Sequence, residues 1–119
     1  MFVSGEDGSY TEYNLGFCQN YEVLEFSGYR ESRPRPEIVN PPKITAQIEN
    51  GEFLLTAEFC EDIISNKLFS LTAVVKLNDG TFLHFANKHC GPKHDFHLER
   101  ARELKLKTEQ NCLTLNLSL

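Results

Sequence analysis

The chain has 119 residues, a hydrophobic fraction of 40% with nine Phe and four Tyr, and a formal net charge of −5. That is enough apolar material for a single domain over residues 1–119, which would bury roughly two-thirds of the surface its unfolded form exposes. The acidic balance argues against nucleic acid, whose phosphates require a basic face. No apolar run approaches the roughly 18 residues that cross a bilayer. Residues 1–7 have neither the basic start nor the apolar stretch of a leader, so the expected compartment is the cytoplasm, with no membrane contact.

In chain order, Tyr10–Leu15 and Tyr21–Phe26 are predicted as a first pair of strands. Arg30 to Pro42 carries Pro34, Pro36, Pro41 and Pro42 and is expected to cross between sheets rather than to form a central strand. Its Arg30, Arg33 and Arg35 read as a solvated face. Ile44–Glu49 and Glu52–Phe59 flank Asn50-Gly51, which supplies the positive φ angles of a type I′ turn and makes a hairpin. In the second of these strands Phe53, Leu55, Ala57 and Phe59 fall on one face. Leu71–Leu77 and Thr81–Ala86 form another hairpin through Asn78-Asp79-Gly80, with Gly80 at the left-handed position. Leu98–Lys107 reads as a turn followed by a strand, and Cys112–Leu119 as a strand with leucines at 113, 115, 117 and 119 on one side. Seven to nine short strands with these turns predict an all-β, antiparallel β-sandwich, since one open sheet would leave an apolar face wet.

Cys18, Cys60, Cys90 and Cys112 are widely spaced and form no C-x-x-C pair. Free thiols are expected, with Cys60 and Cys112 packed as small apolar side chains.

The segment richest in chemistry is His89-Cys90-Gly91-Pro92-Lys93-His94-Asp95-Phe96-His97. Its Gly-Pro and its density of hydrogen-bonding groups mark it as a surface loop. His89, His94 and His97 with Cys90 or Asp95 could ligate zinc, but their spacing matches no standard zinc pattern, and no metal is expected. Asp95 could instead accept hydrogen bonds from loop N–H groups or from Arg30, with Lys93 and His97 joining and Tyr29 and Phe96 capping one end of the sandwich. Alternatively, aromatic Tyr13, Tyr29, Phe85 and Phe96 interleaved with Asn14, Arg30, His89, Asp95 and His97 offer stacking faces and planar hydrogen-bonding groups for a small ligand. Catalysis has little to rest on. The chain lacks a Gly-x-Ser-x-Gly elbow, a phosphate-cradling loop and a His-Glu-x-x-His helix, and adjacent His89 and Cys90 on an extended loop point apart.

Asp7-Gly8-Ser9-Tyr10-Thr11-Glu12-Tyr13-Asn14, then Phe26-Ser27-Gly28-Tyr29-Arg30, then Asp79-Gly80-Thr81 and the His89 loop together resemble the bacterial DOMON-like proteins, whose domain is related to type 9 carbohydrate-binding modules. That family's pattern runs Tyr-x-Glu-Phe-Asn, Gly-Tyr-Arg, a strand ending Trp-Ala-Leu-x-His, and Lys-Pro-Asp-Phe-His-His. The matching positions are Tyr10, Glu12, Tyr13, Asn14, Gly28, Tyr29, Arg30, Ala86, His89, Lys93, Asp95, Phe96 and His97. The family's Trp falls on Phe85, its loop prolines on Cys90 and His94, and the second His of its pair on Leu98. The strands that precede its first motif have no counterpart.

The resemblance implies a jelly-roll-like sandwich, incomplete if the family's N-terminal strands are missing, that binds a carbohydrate or related small molecule without catalysis or a cofactor. Its implied ligand-binding residues are Tyr29, Arg30, Phe85, His89, Lys93, Asp95, Phe96 and His97. The competing expectation is a structural or interaction module that pairs, with a second copy among the options, through an uncovered sheet edge. A haem held by a Met/His pair is excluded in practice, since Met1 is the only Met.

Overall fold

The structure, a computed structural model, describes residues 1–107 and the backbone of Cys112–Ser118. Its strands are β1 (Phe2–Ser4), β2 (Tyr10–Leu15), β3 (Tyr21–Gly28), β4 (Glu31–Ser32), β5 (Lys43–Glu49), β6 (Glu52–Glu58), β7 (Leu68–Ser70), β8 (Thr72–Lys76), β9 (Phe82–Ala86), β10 (Leu104–Lys105) and β11 (Cys112–Ser118), with one 3₁₀ turn at Glu99–Ala101. The protein is all-β, and its strands pair antiparallel in three sheets. Six strands run in the order β10-β7-β1-β2-β3-β4, three in the order β11-β6-β5, and β8-β9 is a separate ribbon.

The predicted hairpins form where their turns place them. Asn50 and Gly51 both take positive φ, 51° and 78°, and β5 pairs with β6 from Glu49–Glu52 out to Lys43–Glu58. Gly80 adopts φ 87° between β8 and β9, and Thr81 N–H closes the turn on Asp79 Oδ1 at 2.8 Å. The backbone of β11 pairs along β6 from Cys112–Glu58 to Ser118–Glu52, while its leucine side chains lie outside the described residues.

Three short strands were not foreseen. The three-residue β1 and β7 and the two-residue β4 are too short to show a period of two. β1 pairs with β2 on one side and β7 on the other, so β2 is not an edge strand of its sheet. The chain leaves the six-stranded sheet after Ser70 and enters the ribbon at Thr72, so the run read as one strand from Leu71 follows a sheet change. The arginine group also separates, with Arg35 meeting Glu22 at 2.6 Å and Arg30 turning to Asp95. Cys60 is exposed rather than packed, and Cys18, Cys60 and Cys90 are free thiols.

Strand alternation divides the apolar residues of the six-stranded sheet between its two faces. On one face Met1, Val3 and Phe69 join Ile44 and Ala57 of the three-stranded sheet, with Phe59 and Ile64 from the connection after β6. This is the sandwich-like layer, and Tyr13, Leu15 and Leu55 pack against it. On the other face Phe2, Tyr10 and Phe26 form a second cluster, closed by Leu24 and by Phe96 from the His-rich loop.

Ile64 is fully buried and Val39 is 78% exposed. Replacing Ile64 with Ala is therefore expected to cost about 2–5 kcal/mol, and Val39→Ala less than about 0.5 kcal/mol, as read by urea unfolding of the two variants.

Candidate functional site

The loop after β9 covers the second aromatic face because both of its ends are fastened. Asn87 exchanges hydrogen bonds with Leu71, taking its N–H on Oδ1 at 2.9 Å, and donates Nδ2–H to Ala101 O at 3.1 Å. Lys88 meets Glu103 at 3.2 Å. Within the loop, Gly91 sits at φ 100°, where a side chain would be strained, and Arg100 donates to Cys90 O at 3.3 Å.

Asp95 is the hub of the loop. Its Oδ1 accepts from Arg30 Nη2 and from the His97 backbone N–H, both at 3.1 Å, and its Oδ2 accepts a short hydrogen bond from Tyr29 Oη. Arg30 Nε also donates to Tyr29 Oη at 3.2 Å. Burial works to raise the Asp95 carboxyl, but the Tyr29 and His97 hydrogen bonds and the Arg30 charge outweigh it and hold the group below the usual carboxylate range. Arg30 occupies the left-handed region at φ 55°, in the turn joining Gly28 to Glu31. The cost of that conformation is offset by what it positions, since Arg30 N–H donates to Tyr10 Oη at 3.0 Å while the guanidinium grips Asp95.

His97 is engaged by the same hydroxyl. Tyr10 Oη accepts from Arg30 N–H and shares a hydrogen bond with His97 Nδ1, 2.9 Å away. On the other side of the ring Nε2 lies 3.9 Å from Glu12 Oε2, too far for a hydrogen bond. The ring stands edge-on to Phe2 at 5.0 Å and to Phe26 at 5.2 Å. Burial lowers the His97 pKa below the ordinary imidazole value, against the opposing pull of Glu12. Beneath it lies Arg102, only 4% exposed. Its Nε donates to Ser4 Oγ at 2.7 Å, its Nη1 to His97 O at 3.2 Å, and its guanidinium covers the Tyr10 ring at 4.5 Å.

The expected constellation therefore divides. Tyr29, Arg30, Asp95 and His97 meet, and Tyr10, Glu12 and Arg102 complete the group. His89 belongs to a different set, in which His94 stacks on His84 with centroids 4.0 Å apart and planes 7° apart, and His89 stands edge-on to His94 at 5.4 Å. Burial, then the charges of His84 and His89, lower the His94 pKa. Phe96 joins the two groups, lying 6.1 Å from His89 while packing on the Phe2 cluster. Lys93 contributes its backbone carbonyl, which accepts Asp95 N–H at 3.0 Å. Phe85 is not brought to the site, because strand alternation puts it on the opposite face of β9 from His84. Among the described residues no group of three or more His, Cys, Asp or Glu has the arrangement of a metal site.

A concavity of ligand size lies elsewhere. A groove of about 720 Å³ runs between the β2–β3 turn, β6 and β8, with Phe17, Tyr21, Phe53 and Tyr13 supplying rings and Asn14, Asn20, Glu22 and Lys76 supplying polar groups. Phe17 meets Phe53 edge-on at 5.5 Å, and Phe17 and Tyr21 are 47% and 38% exposed. Of these residues only Tyr13 and Asn14 carried a sequence signal. The others gather because the turn at Gly16–Asn20 folds back beside the ribbon. Comparison with protein-family models, curated proteins and solved structures finds no match.

Tyr10→Phe removes one hydroxyl and leaves Arg30 N–H and His97 Nδ1 without their partner. It is expected to cost about 1–3 kcal/mol in denaturant unfolding. A pH dependence follows as well. The folded-state pKa values of His97 and His94 lie below the unfolded value of about 6.5. As pH falls through that value the unfolded chain takes up protons that the folded chain refuses, so the stability these two histidines contribute is complete above it and declines below it. Melting temperature should therefore drop between about pH 7 and pH 5, with a shallower slope in His97→Gln and a shallower one still when His94→Gln is added.

Proposed function

We propose that this chain is a non-catalytic ligand-binding module of the DOMON-like kind, which takes a carbohydrate or related small molecule in the groove between the β2–β3 turn, β6 and β8. One observation carries this reading. The groove combines exposed aromatic faces, Phe17 and Tyr21, with the planar amides of Asn14 and Asn20 and the charges of Glu22 and Lys76, in a volume of about 720 Å³. Small-molecule sites have that size and that mixture of apolar walls with a few polar groups. Aromatic faces suit the C–H-rich side of a sugar ring, and amides and carboxylates suit its hydroxyls.

The loop at His89–His97 has the opposite character. Its carboxylate, guanidinium, phenol and imidazole groups are committed to one another, so a ligand there would have to displace existing hydrogen bonds. In this reading Tyr29, Arg30, Asp95, Phe96 and His97 hold the sheet that carries the groove, and the ligand is met by residues of β2, the β2–β3 turn and β8.

The test is a glycan array followed by titration calorimetry on whichever glycan binds. Tyr21→Ala and Phe17→Ala are each expected to weaken binding about tenfold or more with little change in melting temperature, whereas Asp95→Asn should lower the melting temperature and leave affinity nearly intact. Binding that survives both groove substitutions and disappears with Asp95→Asn would return the site to the loop. A chain that binds no glycan would end the carbohydrate reading.

A further inference from the structure

Strand β5 is the last strand of its sheet, and among the described residues only β6 pairs with it. The turn determines which of its main-chain groups are already used. With Asn50 and Gly51 both at positive φ the turn is type I′, so the flanking Glu49 and Glu52 exchange both of their hydrogen bonds. Antiparallel alternation then directs Gln47, Thr45 and Lys43 toward β6 and leaves the N–H and C=O groups of Ile44, Ala46 and Ile48 facing the open edge.

The side chains on this edge are complementary to themselves. Read against its own reverse, Lys43-Ile44-Thr45-Ala46-Gln47-Ile48-Glu49 sets Lys against Glu, Ile against Ile and Thr against Gln, with Ala46 at the centre. We propose that β5 pairs antiparallel with β5 of a second copy about a two-fold axis through Ala46, which would join the two three-stranded sheets into one. The main-chain groups agree with that register. Ile44 would oppose Ile48 of the second copy, and Ala46 its own counterpart, as hydrogen-bonded pairs that use the groups β6 leaves free. Lys43 would oppose Glu49 as a non-hydrogen-bonded pair, the kind in which side chains approach most closely.

Three observations favour a second copy over another strand. Ile48 is 65% exposed although it shares the inward face with Ile44, which is 6% exposed, and pairing would lay Ile44 of the second copy beside it. Among the described residues Lys43 has only a loose intrachain partner, Glu58 at 3.8 Å with both side chains mostly exposed, and Glu49 has Gln47 Nε2 at 3.5 Å. A lysine on a sheet edge ordinarily discourages pairing, but this register meets it with a glutamate at each end. A shift by two residues would set Lys43 against Gln47 and lose both charge pairs. The inference is independent of the ligand reading, since β5 lines no part of the groove.

Sedimentation equilibrium of the whole chain tests it. The expected result is a monomer–dimer equilibrium in which Lys43→Glu and Glu49→Lys each weaken self-association about tenfold or more. Mixing these two variants should restore the dimer as a one-to-one heterodimer, because one edge then carries two glutamates and the other two lysines. The double exchange, Lys43→Glu with Glu49→Lys, should self-associate as the parent does. Ala46→Pro, which removes an N–H at the axis, should leave a folded monomer by circular dichroism. A parent chain that stays monomeric at high concentration would overturn the proposal. So would a dimer indifferent to both charge reversals, or reversed variants that fail to associate when mixed.

Discussion

The arrangement depends on one constraint, that the six-stranded sheet carries apolar side chains on both faces while the second sheet covers only one. Met1, Val3 and Phe69 go to the three-stranded sheet, and Phe2, Tyr10 and Phe26 are left to be covered by a loop. A loop cannot bury a flat aromatic surface by hydrophobic contact alone, because its backbone groups must be satisfied at the same time. Asp95 resolves this, since one carboxylate accepts from the loop's own His97 N–H, from Arg30 and from Tyr29. His97 and Phe96 then reach the aromatic cluster with their backbone already anchored.

The same constraint explains a buried arginine that, among the described residues, has no carboxylate at salt-bridge distance. A guanidinium excluded from water is normally paired, because its desolvation is costly. Arg102 is held by the Tyr10 ring face, Ser4 Oγ and the His97 carbonyl. Each of these groups is fixed by something else: Ser4 by the β1–β2 ladder, Tyr10 by its place in β2 and its hydroxyl bonds, and His97 by Asp95. Arg102 thus ties β1, β2 and the loop together from below, and Arg30 ties β3 to the same loop from above.

What was legible in the sequence follows from how local each signal is. Asn50-Gly51 and Asn78-Asp79-Gly80 announced their hairpins because turn chemistry and strand alternation are encoded within a dozen residues. β1, β4 and β7 were not legible, since two or three residues cannot show a period, and the pairing of β1 with β7 joins partners far apart along the chain. Of the candidate site, the Arg30–Asp95 pair could be anticipated from charge. The engagement of His97 by Tyr10, and the burial of Arg102, depend on which face of β2 the loop crosses. The division of the histidines has the same origin. His84 and His94 are ten residues apart and meet only because the loop doubles back over β9.

This division of labour bears on where function can reside. The face closed by the loop is held by groups that each have several partners, so a substitution there acts on the fold before it acts on any ligand. The opposite end of the six-stranded sheet is different. At the β2–β3 turn Asn20 folds over Gly16, leaving no room for a side chain at that position, and Phe17 and Tyr21 project beside β6 and β8 with much of their surface in water. Partly exposed rings beside amides, a carboxylate and an ammonium gain little for stability where they stand. The groove shares Met1, Tyr13, Leu15, Leu55 and Leu71 with the core that Phe59, Ile64 and Phe69 complete, so under the proposed reading a bound ligand would extend that apolar layer over the two rings.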